Sequence, residues 1–111
     1  MNAIVSKLLK KYDPTHELEK CGLVIGNKLV ESSNCHSEPT KGFVIPAEFM
    51  LKYEDTATGT WHTHPNDKAN LSHEDYAGFS QWPDLFHYII GIDGVRCFKL
   101  QDDLIVEVPL D

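Results

Sequence analysis

The stretch Gly59-Thr60-Trp61-His62-Thr63-His64-Pro65, followed after a polar loop by Ser72-His73-Glu74-Asp75, decides how this chain is read. Residues 59–64 read as a strand, and Pro65-Asn66-Asp67 stops it, because proline has no N–H for a ladder and the next two residues favour a turn. Ser72 is a good helix N-cap and Glu74 and Asp75 are acids in the first turn, so a helix is predicted over residues 72–81, broken by Trp82-Pro83. On the strand, His62 and His64 project from one face, since side chains alternate with a period of two. On the helix, Ser72 and Asp75 lie three residues apart and point the same way.

Working outward, residues 3–11 carry Ile4, Val5, Leu8 and Leu9 at helical spacing, with Lys7, Lys10 and Lys11 on the other side, and Asp13-Pro14 ends this amphipathic helix. Residues 15–19 form a polar connection. Cys21-Gly22-Leu23-Val24-Ile25 reads as a buried strand, turned at Gly26-Asn27 into Lys28-Leu29-Val30-Glu31 as a hairpin. Residues 32–41 read as a loop or irregular strand and Gly42-Phe43-Val44-Ile45 as a strand, after which Pro46 opens a helix to about residue 55, with Phe49, Met50 and Tyr53 spaced for packing. The end is a meander of strands over residues 87–92, 95–100 and 104–108, with turns at Asp93-Gly94 and Asp102-Asp103. Helices and strands mix without strict alternation, which predicts an α+β fold, a sheet flanked by helices.

The chain has 111 residues, enough for a single domain over residues 1–111 and too few for two. Its formal charge of −7, with no long block of like charge, argues against nucleic acid as a partner. Apolar runs such as Tyr88-Ile89-Ile90-Gly91-Ile92 are too short to span a bilayer, and the first residues lack a signal-peptide pattern, so no membrane association is predicted and the protein reads as soluble and cytoplasmic. Cys21, Cys35 and Cys97 form no C-x-x-C unit and are expected as reduced thiols, Cys21 buried and inert on its strand.

Two imidazoles and a carboxylate suit Zn²⁺, and three protein ligands leave a fourth position open for water, as catalytic sites do. Zinc lowers the pKa of such a water to about 7 and polarises a carbonyl. The candidate base is Glu19, two residues before Cys21-Gly22, and Ser72 is placed to donate to an oxyanion, a role typically worth about 10²–10³-fold in kcat. Each residue also has a plainer reading: an isolated H-x-H pair is ordinary packing, Ser72 is an N-cap, Asp75 is a first-turn acid, and Glu17 lies close enough to Glu19 to be confused with it. His16, His36, His73 and His87 read as surface or packing residues, and Cys35-His36 lacks a partner at ligand spacing. Trp61 is expected in the core and Trp82 on a substrate groove.

Glu19-Lys20-Cys21-Gly22-Leu23-Val24, His62-Thr63-His64-Pro65 and Ser72-His73-Glu74-Asp75 together resemble the JAMM signature of the MPN (JAB) metalloprotease family, over nearly the whole chain. The resemblance implies the MPN/JAB fold, a cytidine-deaminase-like curved mixed β-sheet flanked by helices. It implies that His62, His64 and Asp75 ligate Zn²⁺, that Glu19 is the general acid/base, and that Ser72 stabilises the oxyanion. The family hydrolyses peptide or isopeptide bonds, often beside the C-terminal tail of ubiquitin or a ubiquitin-like sulfur carrier, and one branch forms part of phage tail assembly proteins fused to a cell-wall peptidase. The segment Trp82-Pro83-Asp84-Leu85-Phe86-His87-Tyr88-Ile89-Ile90-Gly91 resembles the compact bacterial and phage branch. The length leaves little room for ubiquitin-gripping insertions or a fused peptidase.

The expectation is therefore a zinc metallopeptidase whose protein or peptide substrate, a ubiquitin-like tail or a phage tail precursor, lies as an added strand beside a sheet edge. A phage tail or cell-wall peptidase chain is the expected partner. The alternative is a non-enzymatic or partner-activated phage tail assembly factor that keeps the zinc site. Nucleoside deamination, which the related fold also carries, would need a P-C-x-x-C pair that this sequence lacks.

Overall fold

Apolar Cys21-Gly22-Leu23-Val24-Ile25 forms an inner strand, β1 (Cys21–Ile25), buried at four of its five positions in the computed structural model, which describes residues 3–110. Residues 1, 2 and 111 of the expected span lie outside the described residues. A two-residue turn, with Gly26 at a φ of 60°, returns the chain as the antiparallel β2 (Lys28–Ser32). On its other side β1 pairs with β3 (Gly59–Thr63), buried at every position, in an antiparallel register that sets Cys21 against His62.

From β3 the chain crosses through a helix to β4 (Phe86–Gly91), which is parallel to β3. The predicted meander then follows as β5 (Gly94–Gln101) and β6 (Leu104–Val108). The sheet runs β2-β1-β3-β4-β5-β6, mixed and six-stranded. With α1 (Ala3–Leu9), α2 (Ala47–Tyr53) and α3 (His73–Phe79) it makes the α+β fold expected.

The alternation of β3 divides the core in two. Trp61 joins Val24 and Ile90 beneath Ile4 and Leu8 of α1, burying that helix's apolar stripe. On the other face, Phe79 of α3 packs with Ala69, Ile89 and Phe98, and its ring meets His62 edge-on at 6.1 Å. The neighbours Trp61 and His62 thus serve opposite sides of one sheet.

The helices are shorter than the sequence reading. Turns continue α1 and α3 without extending them, Lys11 N–H donating to Leu8 C=O at 2.9 Å and Gln81 N–H to Gly78 C=O at 3.1 Å. The strand expected at Gly42-Phe43-Val44-Ile45 does not form. One ladder-like bond joins Cys35 N–H to Val44 C=O at 2.9 Å, but the next partner of this backbone is a side chain: Asn34 Oδ1 accepts from Val44 N–H at 3.1 Å. A side chain that takes over the backbone's bonds replaces a ladder with a knot. No helix among the described residues is long and apolar enough to cross a membrane.

The loop between β3 and α3 is pinned over the end of β4. A Cβ on Gly91 would fall 2.2 Å from Ala69 N, so only glycine lets the loop lie this close. Asp67 C=O accepts from Ile92 N–H at 2.7 Å and Asp93 Oδ1 from Ala69 N–H at 2.8 Å.

Two stability predictions follow from this architecture. Asp102 and Asp103, at the β5–β6 turn, both adopt left-handed backbone with φ of 51° and 65°, which glycine takes at far lower cost. Asp103→Gly is expected to raise unfolding free energy by about 1 kcal/mol, read as a higher urea midpoint. Buried His87 donates from Nε2 to Trp82 C=O at 3.0 Å, so its Nδ1 accepts from Thr60 Oγ1 at 2.7 Å and the neutral ring is satisfied. Burial holds its pKa down to about 4. The unfolded chain therefore gains a proton first as pH falls, and stability is expected to drop by roughly 1 kcal/mol per unit between pH 6.5 and 4, a slope that His87→Gln flattens in pH-dependent urea titrations.

Candidate metal centre

The β1–β3 register builds the site. It opposes Cys21 and His62, and beyond the last ladder pair Thr63 N–H donates to Lys20 C=O at 2.9 Å while Thr63 Oγ1 accepts from Lys20 N–H at 2.9 Å. One step further out, Glu19 reaches His64, on the face that His62 shares. The pinned loop then delivers α3 with its first turn facing the two histidines.

Ser72 caps α3 as expected: its Oγ accepts from Asp75 N–H at 3.0 Å, and Asp75 Oδ2 accepts from Ser72 N–H at 3.1 Å. This reciprocal capping box locks the Asp75 carboxylate toward the sheet. Ser72 spends a lone pair on the cap and keeps its hydroxyl proton free to donate.

Four side chains converge: donor atoms of Glu19, His62, His64 and Asp75 all lie within 4.8 Å of one another, and all four residues are buried. His62 Nε2 is 2.8 Å from Asp75 Oδ1, His64 Nε2 is 3.0 Å from Asp75 Oδ2, and the two Nε2 atoms are 3.1 Å apart. Lys68 C=O, which can only accept, takes the His64 Nδ1–H at 3.0 Å, which fixes the ring with Nε2 facing the cluster. Glu19 Oε1 and Asp75 Oδ1 are buried with no hydrogen-bond partner among the described residues, Asp75 Oδ1 sitting near His62 Nε2 without the alignment a bond needs. Buried carboxylate oxygens left unpaired beside two imidazole nitrogens are what a bound cation resolves, so the residues fit a metal ion.

Electrostatics divides the two carboxylates. Burial pushes the Glu19 carboxyl up to about 8. Burial also opposes ionisation of Asp75, but the His62 and His64 rings outweigh it and hold that carboxyl well below the usual carboxylate range. Asp75 is thus a permanent anion, and Glu19 is a carboxyl able to exchange its proton near neutral pH.

The family described as Prok-JAB, prokaryotic homologs of the JAB domain, matches residues 1–101. The chain belongs to the Prok-JAB family. Two solved structures share the fold of this Prok-JAB chain. The solution structure of protein DSY2949 from Desulfitobacterium hafniense has a TM-score of 0.69 at 22% identity, covering 93% of this chain and 84% of that one. A structure described as "JAMM: A Metalloprotease-like Zinc Site in the Proteasome and Signalosome" has a TM-score of 0.60 at 20% identity, covering 99% and 91%. No curated protein sequence is significantly similar.

All five residues singled out in this Prok-JAB sequence meet at one place, and Glu17, the rival of Glu19, is exposed. Cys21 is buried, with its thiol pushed up to about 11 by burial, as expected of an inert cysteine. His36 joins no metal cluster among the described residues; its Nδ1 accepts from Glu38 N–H at 2.8 Å and its Nε2 faces Glu74 Oε2 at 3.1 Å, tying the 33–45 segment to α3.

Sequence reasoning missed two residues here. Phe43 stacks on His62 with ring centroids 4.2 Å apart, holding the imidazole flat. Asn34 uses its whole amide: Nδ2 donates to Glu19 C=O at 2.9 Å and Gly42 C=O at 3.0 Å, and Oδ1 accepts from His36 and Val44 N–H groups, both at 3.1 Å. An Asn between polar residues carries no periodic signal, and only its tertiary partners give it meaning. Asn34→Ala strands four backbone groups and is expected to cost about 2 kcal/mol or more in chemical denaturation.

Proposed function

We propose that this Prok-JAB domain is a zinc-dependent peptidase that cleaves a peptide or isopeptide bond beside an extended protein tail. The observation that carries the reading is the buried convergence of Glu19, His62, His64 and Asp75 within 4.8 Å. His62, His64 and Asp75 would hold Zn²⁺, the two Nε2 atoms standing 3.1 Å apart and each within 3.0 Å of a carboxylate oxygen of Asp75. Bound there, zinc supplies Lewis acidity toward water and toward the scissile carbonyl. The likeness in fold to a structure described as a metalloprotease-like zinc site supports this choice of ion and reaction.

The chain's own residues supply the rest. Glu19, buried beside the two histidines, would act in its ionised form, which a cation at the cluster favours, taking the proton of the attacking water and handing it to the leaving amine. Ser72 Oγ, which accepts from Asp75 N–H, keeps a hydroxyl proton that would donate to the carbonyl oxygen as it gains charge. Beside the cluster, a pocket of about 580 Å³ opens between α2, α3 and the sheet, with Phe43, Val44, Met50, Leu51, Ala77 and Trp82 on its walls. Phe43 lines this pocket and stacks on His62, and a substrate tail seated there would lie on the far side of the Phe43 ring from that histidine. Such a tail belongs to a small ubiquitin-like protein or a phage tail precursor.

The test combines metal analysis with cleavage of a ubiquitin-like fusion protein. Chelator-sensitive cleavage is expected. His62→Ala and Asp75→Ala are expected to lose both metal and activity, whereas Glu19→Gln keeps the metal and loses at least about 10²-fold in kcat. Full turnover by Glu19→Gln would remove the base, and a metal-loaded protein that cleaves no tail would favour a scaffold in phage tail assembly.

A further inference from the structure

The remaining surface holds one concentrated feature of opposite sign to the rest of the chain. Four of the ten cationic residues, Lys7, Lys10, Lys11 and Lys28, surround one groove of about 420 Å³ between α1 and β2, in a chain of net charge −7. Leu29 and Val30 complete its lining. Lys11 is already engaged, 3.1 Å from Glu31 Oε1 and over the Trp61 ring at 5.4 Å, and Lys7 Nζ donates to Asn27 C=O. Exposed Lys10 and Lys28 are in no ion pair among the described residues.

The groove borders an open sheet edge. β2 is the terminal strand and β1 is its only strand partner among the described residues, so alternate N–H and C=O groups of β2 point away from the sheet, as on any edge strand. Leu29 packs with the cluster beneath α1, on the side of the sheet opposite His62, while Lys28 and Val30 alternate to the other face, and β2 stands two strands out from β3, which carries His62.

We infer that the α1–β2 groove docks an acidic extended segment of a partner protein, which adds a strand to the edge of β2 and sets its carboxylates against Lys10 and Lys28. Main-chain bonds to β2 supply affinity, apolar side chains alternating with the acids cover Leu29, and the lysines fix the sign of the partner. Anionic bilayers and nucleic acids present broad phosphate surfaces, and neither can pair with the free N–H and C=O groups of the β2 edge as a peptide backbone can. The groove joins a strand edge to the apolar Leu29 and Val30, and suits a peptide. The inference is independent of the peptidase reading.

The probe is a fluorescein-labelled decapeptide of alternating Glu and Val, with a Lys-and-Val peptide as its control. Fluorescence anisotropy at 50 mM salt and amide chemical shifts at up to millimolar peptide are the readouts. Binding of the acidic peptide alone is expected, with shifts centred on residues 28–32, weakening on added salt and by roughly tenfold in Lys10→Glu/Lys28→Glu. Lys10→Gln/Lys28→Gln, with a milder charge change, is expected to fall between that variant and the parent. Absence of binding, equal binding of the basic peptide, shifts centred on another element, or stronger binding to phosphatidylglycerol vesicles or duplex DNA would each overturn the inference; in the first case the lysines only keep the β2 edge from pairing with other copies.

Discussion

Everything at the metal centre depends on the antiparallel register between β1 and β3. A slip of one residue would send His62 and His64 into the core beneath α1 and turn Trp61 toward α3, because neighbouring side chains on a strand face opposite ways. The register is held by demands on both faces. Trp61 fits only among Val24, Ile90 and the stripe of α1, and Gly22 leaves room for it, since a Cβ there would come within 2.7 Å of the indole nitrogen. Packing on one side of the sheet thus fixes the chemistry on the other.

The same register explains why two carboxylates in one cluster behave differently. Asp75 arrives on a helix whose capping box points it at two imidazoles, and their attraction overcomes the cost of burial. Glu19 arrives from the backbone just ahead of β1, with one oxygen buried and unpaired, and burial dominates. A stable anion and a carboxyl that holds its proton near neutrality sit a few ångströms apart. This separation of roles arises from which element carries each residue, since the side chains are near equivalents.

Much of this was legible in the sequence because it rests on local rules. Period-two spacing put His62 and His64 on one face, Ser72 announced a helix start, and Gly26-Asn27, Asp93-Gly94 and Asp102-Asp103 marked turns. The segment over residues 33–45 was not legible. Gly42-Phe43-Val44-Ile45 has strand composition, yet Phe43 is needed flat against His62 and the Asn34 amide takes the backbone bonds a strand would share. Local propensity yields where a tertiary contact offers the same backbone a different set of partners. The pocket between α2 and α3 was equally invisible, apart from Trp82, because its walls come from four separate parts of the chain.

The loop pinned over Gly91 also bears on the thermodynamics of the ion. Its links to Ile92 and Asp93 hold Asp75 in range of the histidines through the protein's own folding energy. Because these bonds hold the four side chains together, a cation bound among them would order little further chain, and its free energy of binding would go into affinity.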